Sequence, residues 1–384
     1  MSNYLLVSIA FLIAVCLARV IIPQIILTAW KKKLFDEPDE RKVHVSTVPR
    51  LAGFSFVPIL IFSLAFTVAI SVVFHQELVQ VFRPVLVEFC LLVCGLILLY
   101  LVGLQDDLIG ARYRVKFLIQ VVAASFIPIS GLWIGNLHGL FGIYALPAWI
   151  GVPFTIFLVV FIINSINLID GIDGLASGLS SICLVTAGIC FLFYRSWPFA
   201  MLAFSMFGAL VPFFYYNVFG QTHRNKKIFM GDTGSLTLGY VLSFLVVELT
   251  VMEDGTFLPS KGNMVVAFST LLVPLFDVCR VILVRMRNKA HLFMPDKNHI
   301  HHKFLEMGFT PRRAMICILC LSFFFCALNT GLVYLVDINL LLLINITAWT
   351  GLHLVFNRVL MRRQKGTGSL KLEIKETLKV KTGS

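Results

Sequence analysis

The sequence predicts an all-α fold: a polytopic membrane helical bundle of about eleven transmembrane helices, with the N-terminus outside and the C-terminus in the cytoplasm. Apolar residues occupy 58% of the 384 positions and charged residues 14%, and the mean hydropathy is +0.90. Soluble domains carry about 25% charged residues, so this composition indicates a chain that lies in lipid. Apolar stretches of about 20 residues, the length that crosses a hydrocarbon core as a helix, recur throughout.

The predicted spans are separated by polar connections. In chain order they cover residues 4–29, 51–75, 87–105, 114–133, 148–166, 174–194, 197–217, 235–252, 265–285, 313–336 and 339–360. No basic residues precede the first span, unlike a cleavable signal peptide, so it is expected to remain as a helix. We expect one transmembrane domain over residues 1–361 and a polar cytoplasmic tail over residues 362–384.

Lys and Arg are distributed very unevenly between the two sets of connections. With eleven spans, one set and the C-terminal tail hold 28 of the 32 Lys and Arg residues, and the opposite set holds three. Short cytoplasmic loops are enriched in these residues, which predicts cytoplasmic loops at 31–50, 105–116, 164–176, 218–234 and 286–312. The net charge of +12 is dispersed in these short clusters, which argues against nucleic-acid binding.

The first polar cluster is FDEPDERKVH (Phe35–His44) followed by PRLAG (Pro49–Gly53). Ionisable residues at a membrane are costly and point to function, and every unusual cluster in this chain lies at a predicted cytoplasmic end. Arg50 is a candidate phosphate ligand because anionic substrates need fixed cationic donors. A solvated, positively charged loop is the alternative.

The second cluster is GLQDDL, with Asp106 and Asp107 at the end of the third span. Two adjacent carboxylates repel each other unless a cation or proton compensates. A divalent metal or a catalytic base is therefore favoured over an ordinary helix end. Lys116, at the start of the next span, is expected to supply part of the compensation.

The third cluster is NSINLIDGIDGLASG, in which Asn164, Asn167, Asp170 and Asp173 recur every three residues. Gly171 and Gly174 are expected to open the helix into a loop so that these groups converge. Carboxamide and carboxylate oxygens suit a hard cation such as Mg²⁺, and they also suit the edge of a nucleobase. An ordinary polar turn is the alternative.

The fourth cluster is IFMGDTGSLTLG (Ile228–Gly239), which leads into the eighth span. A helix N-terminus favours anions, so Asp232 is predicted to be a metal carboxylate beside a phosphate. Alternatively, Asp232 caps its own helix.

The fifth cluster is PDKNHIHHKF, with His299, His301 and His302 in a basic loop. Without cysteine in this loop, phosphate or sugar contact is favoured over a zinc site. Asp277 and Arg280, three residues apart in the ninth span, are expected to form a structural ion pair.

Together these clusters favour phosphoryl transfer to or from a lipid. The oxygen ligands imply a hard cation, and the basic loops imply phosphates. A metal ion together with Arg, Lys and His side chains would neutralise the negative charge that develops in phosphoryl transfer. A transporter also has polar residues at helix breaks, but its site is expected near the membrane midplane. Here the polar groups collect at one face.

The order of the motifs resembles the polyprenyl-phosphate N-acetylhexosamine-1-phosphate transferases, over about Asp36 to Lys303. The most specific parts are NSINLIDGIDGLA, FMGDTGSL and HIHHK. The DEPDERKVH loop and HIHH are similar to the WecA- and TagO-like branch rather than to MraY-like chains. Ala52 departs from the family, which commonly has the first of two glycines there.

The resemblance implies transfer of N-acetylglucosamine 1-phosphate from UDP-N-acetylglucosamine to undecaprenyl phosphate with release of UMP, at the cytoplasmic face of a bacterial inner membrane. The product would be the first lipid-linked intermediate of an envelope polysaccharide. Another UDP-N-acetylhexosamine as donor, carrying a quinovosamine, a fucosamine or a muramyl-pentapeptide group, is the alternative. A direct transfer and a two-step route through an aspartyl phosphate both stay open, as do a monomer and a homodimer.

The resemblance also implies roles for individual residues. Mg²⁺, with Mn²⁺ as a substitute, is expected on Asn167 and Asp232, and the catalytic pair is Asp106 and Asp107. The expected substrate-binding residues are Arg50, Lys116, Asn164, Asp170, Asp173, Phe229, His299, His301 and His302. Among these, Asp170 and Asp173 face the nucleotide, Phe229 stacks on uracil, and the histidines and Arg50 contact pyrophosphate or sugar.

Overall fold

The computed structural model describes residues 3–34, 48–74, 81–221, 225–252, 258, 260–289 and 298–382. The helices in chain order are α1 (Asn3–Lys32), a 3-10 helix (Ala52–Ser55), α2 (Phe56–Phe74), α3 (Leu86–Ile109), α4 (Tyr113–Ile129), α5 (Ala148–Ile169), α6 (Leu175–Phe193), α7 (Trp197–Phe219), α8 (Gly231–Val251), α9 (Ser260–Thr270), α10 (Leu272–Arg287), α11 (Ile300–Glu306), α12 (Pro311–Leu332) and α13 (Ile338–Thr382). Within these ranges the only strands are the antiparallel pair β1 (Asn136–Leu140) and β2 (Ile143–Ala145). The all-α prediction is confirmed.

The chain is a multi-pass membrane protein. Nine helices in the described ranges are long and apolar enough to cross a membrane, and the bent pair α9–α10 brings the number to ten if it is one span. Every predicted span coincides with a helix or helix pair, although the fourth corresponds to α4, which has only 17 residues. The number eleven and the sidedness of the ends remain predictions.

The ninth predicted span, 265–285, is not one straight helix. It is bent by 70° between α9 and α10. Pro274 lies in the first turn of α10, and a proline removes a helical hydrogen bond and clashes with the carbonyl four residues earlier, here that of Thr270. This proline explains why α9 ends at Thr270.

Helix α8 is the centre of the bundle, and most of its residues are buried. It packs against α3, α5 and α6. Gly103 of α3 lies directly on α8, where an added Cβ would be 2.5 Å from the Cα atom of Thr233. This close approach brings the end of α3, which carries Asp106, to the beginning of α8, which carries Asp232.

The two ends of the bundle are built differently. At one end, Asn339 in the first turn of α13 accepts a hydrogen bond from the Phe141 backbone N–H at 2.7 Å and donates to the Gly139 carbonyl at 2.9 Å, which ties the β1–β2 hairpin to the bundle. At the other end, Arg363 of α13 donates to the Glu306 carbonyl at 3.3 Å. This second end, the polar end, also contains the beginning of α8.

Candidate active site

At the polar end, residues 49–53 run beside the segment that leads into α8. The Phe229 N–H donates a hydrogen bond to the Pro49 carbonyl at 2.9 Å. In return, the Ala52 N–H donates to the Phe229 carbonyl at 3.1 Å, and the Gly53 N–H donates to the Met230 carbonyl at 2.9 Å. A Cβ on Gly53 would overlap the backbone of Gly234. Ala52 is fully buried at the start of the 3-10 helix, so the methyl group is accommodated there, and the position that requires glycine is Gly53.

Asp107 of α3 caps helix α8. Its carboxylate accepts hydrogen bonds from the backbone N–H groups of Asp232 and Thr233 at 2.7 and 2.9 Å, and from the Thr233 hydroxyl at 2.6 Å. Gly231 makes this possible, because it has φ +75° and an added Cβ would lie 2.6 Å from an Asp107 oxygen. The first N–H groups of a helix lack acceptors within the helix. Here the Asp107 carboxylate, from another helix, is the acceptor for two of them.

The Asp232 side chain makes no capping bond to its own helix. One of its oxygens accepts a hydrogen bond from the Asn167 amide at 2.8 Å, and the other contacts the Lys116 ammonium. Lys116 also donates to Asp106 at 2.9 Å, and the second Asp106 oxygen accepts from the Ala111 N–H at 2.7 Å. Side chains from α3, α4, α5 and α8 therefore converge at one point.

The oxygen atoms at this point suit a hard cation. Asp232 and Asp106 offer carboxylates and Asn167 a carboxamide, and Mg²⁺ is usually bound by one or two carboxylates together with water and substrate phosphate. An ammonium already bridges the two carboxylates, which shows that the position attracts positive charge. Across the described ranges, no group of three or more His, Cys, Asp or Glu residues forms a complete protein-only metal site.

Asp173 and Phe229 lie together with a lysine that the sequence reasoning did not select. The Lys227 ammonium is 2.5 Å from an Asp173 oxygen and 5.5 Å from the centroid of the Phe229 ring. Asn217 holds this region in place, since it accepts a hydrogen bond from the Gly174 N–H at 2.6 Å and donates to the Ile228 carbonyl at 2.9 Å. Lys227 could have been found from its place two residues before Phe229; Asn217 had no comparable signal.

Asp170 follows the last residue of α5 and begins the loop that leads to α6. Burial raises the pKa of its carboxyl group to about 7, and the negative charges of Asp232 and Asp173 act in the same direction, while Arg50 opposes them. The charges of both Asp232 and Arg50 therefore act on the Asp170 carboxyl group.

Asn164 has a different environment from Asn167. Its amide donates to Gln120 of α4 at 2.7 Å and to the Val160 carbonyl at 2.8 Å. It lies about one helical turn further into the bundle than Asn167. The structure thus places Asn164 in an interhelical contact and not in the cluster around Asp232.

The histidines lie on and beside α11. His299 is buried, with its Nδ1 atom 2.9 Å from Asp277, and the same carboxylate binds Arg280 at 2.9 Å, so the predicted ion pair is present. The His301 ring packs against Gly171, where an added Cβ would overlap it. Burial lowers the pKa of His301 to about 3, with a smaller effect from His302, so the imidazole is neutral.

Several predicted residues lie outside the described residues. These include the whole of FDEPDERKVH, Phe35–His44, and the beginning of the PDKNHIHHKF motif. The described residues nevertheless bring five features to one end of the bundle. They are PRLAG, the two aspartates of α3, the Asp170 loop (residues 170–174, between α5 and α6), the start of α8 and the histidine helix α11.

A buried central helix whose first turn meets carboxylate, amide and ammonium groups from three other helices forms the candidate active site of this membrane protein. A family model described as "Glycosyl transferase family 4" matches residues 89–250. The "Undecaprenyl-phosphate alpha-N-acetylglucosaminyl 1-phosphate transferase" of Salmonella typhi is 32% identical over 295 residues, which are 76% of this chain and 74% of that protein. The Escherichia coli K12 protein of the same name is 29% identical over 295 residues, with the same two coverages.

A third relative covers more of the chain. The Bacillus subtilis protein named "Probable undecaprenyl-phosphate N-acetylglucosaminyl 1-phosphate transferase" is 30% identical over 358 residues, 91% of this chain and 88% of that protein. The chain belongs to glycosyl transferase family 4, among the relatives that carry these transferase names. The resemblance drawn from the motifs is confirmed.

Proposed function

We propose that this protein transfers N-acetylglucosamine 1-phosphate from UDP-N-acetylglucosamine to undecaprenyl phosphate and releases UMP. The observation that carries the proposal is the convergence of Asp106, Lys116, Asn167 and Asp232 from four helices at one end of the bundle. The names of relatives that align with at least three quarters of this chain support the transfer of N-acetylglucosamine 1-phosphate to undecaprenyl phosphate.

In the proposed site, Asp232 and Asn167 hold Mg²⁺, which when bound would offset the negative charge of the pyrophosphate. Asp107 holds the first turn of α8 in place and so positions Asp232. Lys116 offsets part of the negative charge of Asp106 and Asp232 and offers its ammonium to the phosphate of the lipid acceptor. Asp106 is the candidate to orient or deprotonate that phosphate.

The donor is proposed to lie over the other half of the site. Phe229 offers an aromatic face to the uracil, Asp170 and Asp173 line the nucleotide, and Arg50 and His302 meet the pyrophosphate or the sugar. His299 and His301 are buried, and their contacts with Asp277 and Gly171 hold α11 against the Asp170 loop. We place the site at the cytoplasmic face of a bacterial inner membrane, where the basic connections are predicted to lie.

The test is UMP release by the purified protein with undecaprenyl phosphate, Mg²⁺ and a panel of UDP-N-acetylhexosamines. We expect UDP-N-acetylglucosamine to be the best donor and Asp232→Asn to be inactive while its thermal unfolding in detergent is unchanged. The proposal is overturned if the folded protein releases no UMP with any donor in the panel, or if Asp232→Asn is fully active. Trapping labelled phosphate on the protein would select the two-step route.

A further inference from the structure

The last helix, α13, contacts the C-terminal half of the histidine helix α11. Lys303 of α11 donates to Asn357 of α13 at 2.8 Å and lies 3.3 Å from the Nδ1 atom of His353. The rings of Phe304 and Phe356 meet edge to face, with centroids 5.0 Å apart. The α13 residues belong to none of the sequence motifs and lie outside the range that the family model matches.

The two sides of α11 face different partners. His301 and Lys303 are two residues apart and so project about 200° apart around the helix. His301 packs against Gly171 in the Asp170 loop, and Lys303 reaches α13. Helix α11 is therefore held between the nucleotide side of the site and the last transmembrane helix.

The two polar groups of α13 that contact the Lys303 ammonium, the His353 imidazole and the Asn357 amide, are neutral. His353 is 5% exposed, and the Nδ1 atom that faces the ammonium is an acceptor only when that nitrogen carries no proton. Burial and the nearby Arg280 lower the pKa of Lys303 to about 8, while Asp277 and Glu306 oppose this shift. An ammonium in such surroundings needs oxygen and nitrogen acceptors, and α13 supplies them.

We propose that α13 positions the histidine helix for donor binding, with Asn357 and His353 as positioning residues that act through Lys303. Lys303 then anchors α11 and does not bind substrate, and the anchored helix directs His302 to the donor. The inference rests on the proposed function for its kinetic consequence, while the anchoring of α11 by α13 is independent of it.

The kinetic test compares Asn357→Ala, Lys303→Ala and the double variant. The loss of a hydrogen bond to a charged group typically changes an equilibrium constant about tenfold or more. We therefore expect each single variant to raise KM for UDP-N-acetylglucosamine about tenfold, with KM for undecaprenyl phosphate unchanged, and the double variant to be no worse than either single one. Lys303→Gln should restore most of the loss, because its amide still donates to Asn357 without a charge.

Asn345→Ala is the matched control on the same helix. Asn345 forms a reciprocal amide pair with Asn329 of α12, at 2.7 and 3.2 Å, three turns away from Asn357. Its loss should lower the thermal unfolding midpoint and leave both KM values unchanged. An equal KM effect in Asn345→Ala would reduce the role of α13 to general stability and overturn the proposal.

Two further outcomes would also overturn it. If Lys303→Gln is as impaired as Lys303→Ala while Asn357→Ala is normal, the charge of Lys303 acts on substrate. If amide hydrogen exchange of residues 300–306 is the same in wild type and Asn357→Ala, α13 does not anchor α11. The exchange measurement needs no turnover, so it tests the anchoring of α11 by α13 independently of activity. A wild-type protein that releases no UMP would contradict the proposed function without affecting that test.

Discussion

The Asp107 carboxylate accepts two hydrogen bonds from Thr233, one from its backbone N–H at 2.9 Å and one from its hydroxyl at 2.6 Å. With the third bond from the Asp232 N–H, both Asp107 oxygens are occupied at the start of α8. A carboxylate engaged in this way is suited to position Asp232 rather than to accept a proton from substrate.

Asp107→Ala should therefore remove a helix cap, worth about 1 kcal/mol of unfolding free energy, and abolish UMP release because the first turn of α8 shifts. Asp107→Asn keeps one acceptor oxygen and should retain partial activity. The control is Asp337→Ala, which removes the acceptor for the Asn339 N–H at the opposite end of the bundle and should keep full activity. An Asn variant as inactive as the Ala variant would favour Asp107 as the base.

Lys116→Gln should increase the apparent affinity for Mg²⁺ and lower kcat. Its ammonium contacts the same Asp232 carboxylate that is proposed to bind the metal, so removing this charge removes a competitor and an electrostatic repulsion. The measurement is UMP release as a function of Mg²⁺ concentration. Arg114→Gln is the control, since Arg114 is exposed beside Tyr113 and the variant loses the same charge. Identical Mg²⁺ curves for the two variants would contradict a metal on Asp232.

The carboxyl group of Asp170 should make the stability of the metal-free protein depend on pH. Its pKa rises from 3.8 to about 7 on folding, so between these values the folded protein holds a proton that the unfolded chain releases. The free energy of unfolding should consequently fall as the pH rises from about 4 to about 7. Thermal unfolding in detergent with EDTA would measure this slope. The partly buried carboxyl group of Asp107 also contributes, so part of the slope persists without Asp170. Asp170→Asn should reduce the slope and Asp337→Asn should not, and an unchanged slope in Asp170→Asn would be evidence against the burial of this carboxyl.

Gly53→Ala should lower the unfolding free energy by about 1–3 kcal/mol, the usual cost of overpacking, and reduce activity strongly. Its Cβ would overlap the Gly234 backbone, which would separate the PRLAG segment from α8. Gly331→Ala in α12 is the matched control, because nothing lies within 4 Å of the added Cβ. A helical Gly to Ala change there should be neutral or stabilising by up to about 1 kcal/mol. Equal unfolding midpoints for the two variants would show that α8 can move away from Gly53.

The membrane class and the clusters at one end could be predicted because both depend on local patterns. Span length and hydropathy are properties of consecutive residues, and Asn167, Asp170 and Asp173 stand out because polar and ionisable groups are rare beside apolar runs. The break in the ninth span was not predicted, although Pro274 is visible in the sequence. The length and apolar composition of that span alone fit a continuous helix.

Local patterns in the chain are enough to identify a helical membrane protein and the chemical groups that could serve a phosphoryl transfer. The partners of those groups are known from the folded molecule: Asp107 on the N-terminus of α8, Lys116 between Asp106 and Asp232, Asn164 on Gln120, and Lys227 on Asp173. Most of these partners lie on separate helices, and contacts between helices depend on close approaches, such as that of Gly103 to Thr233, which have no periodic signal in the chain.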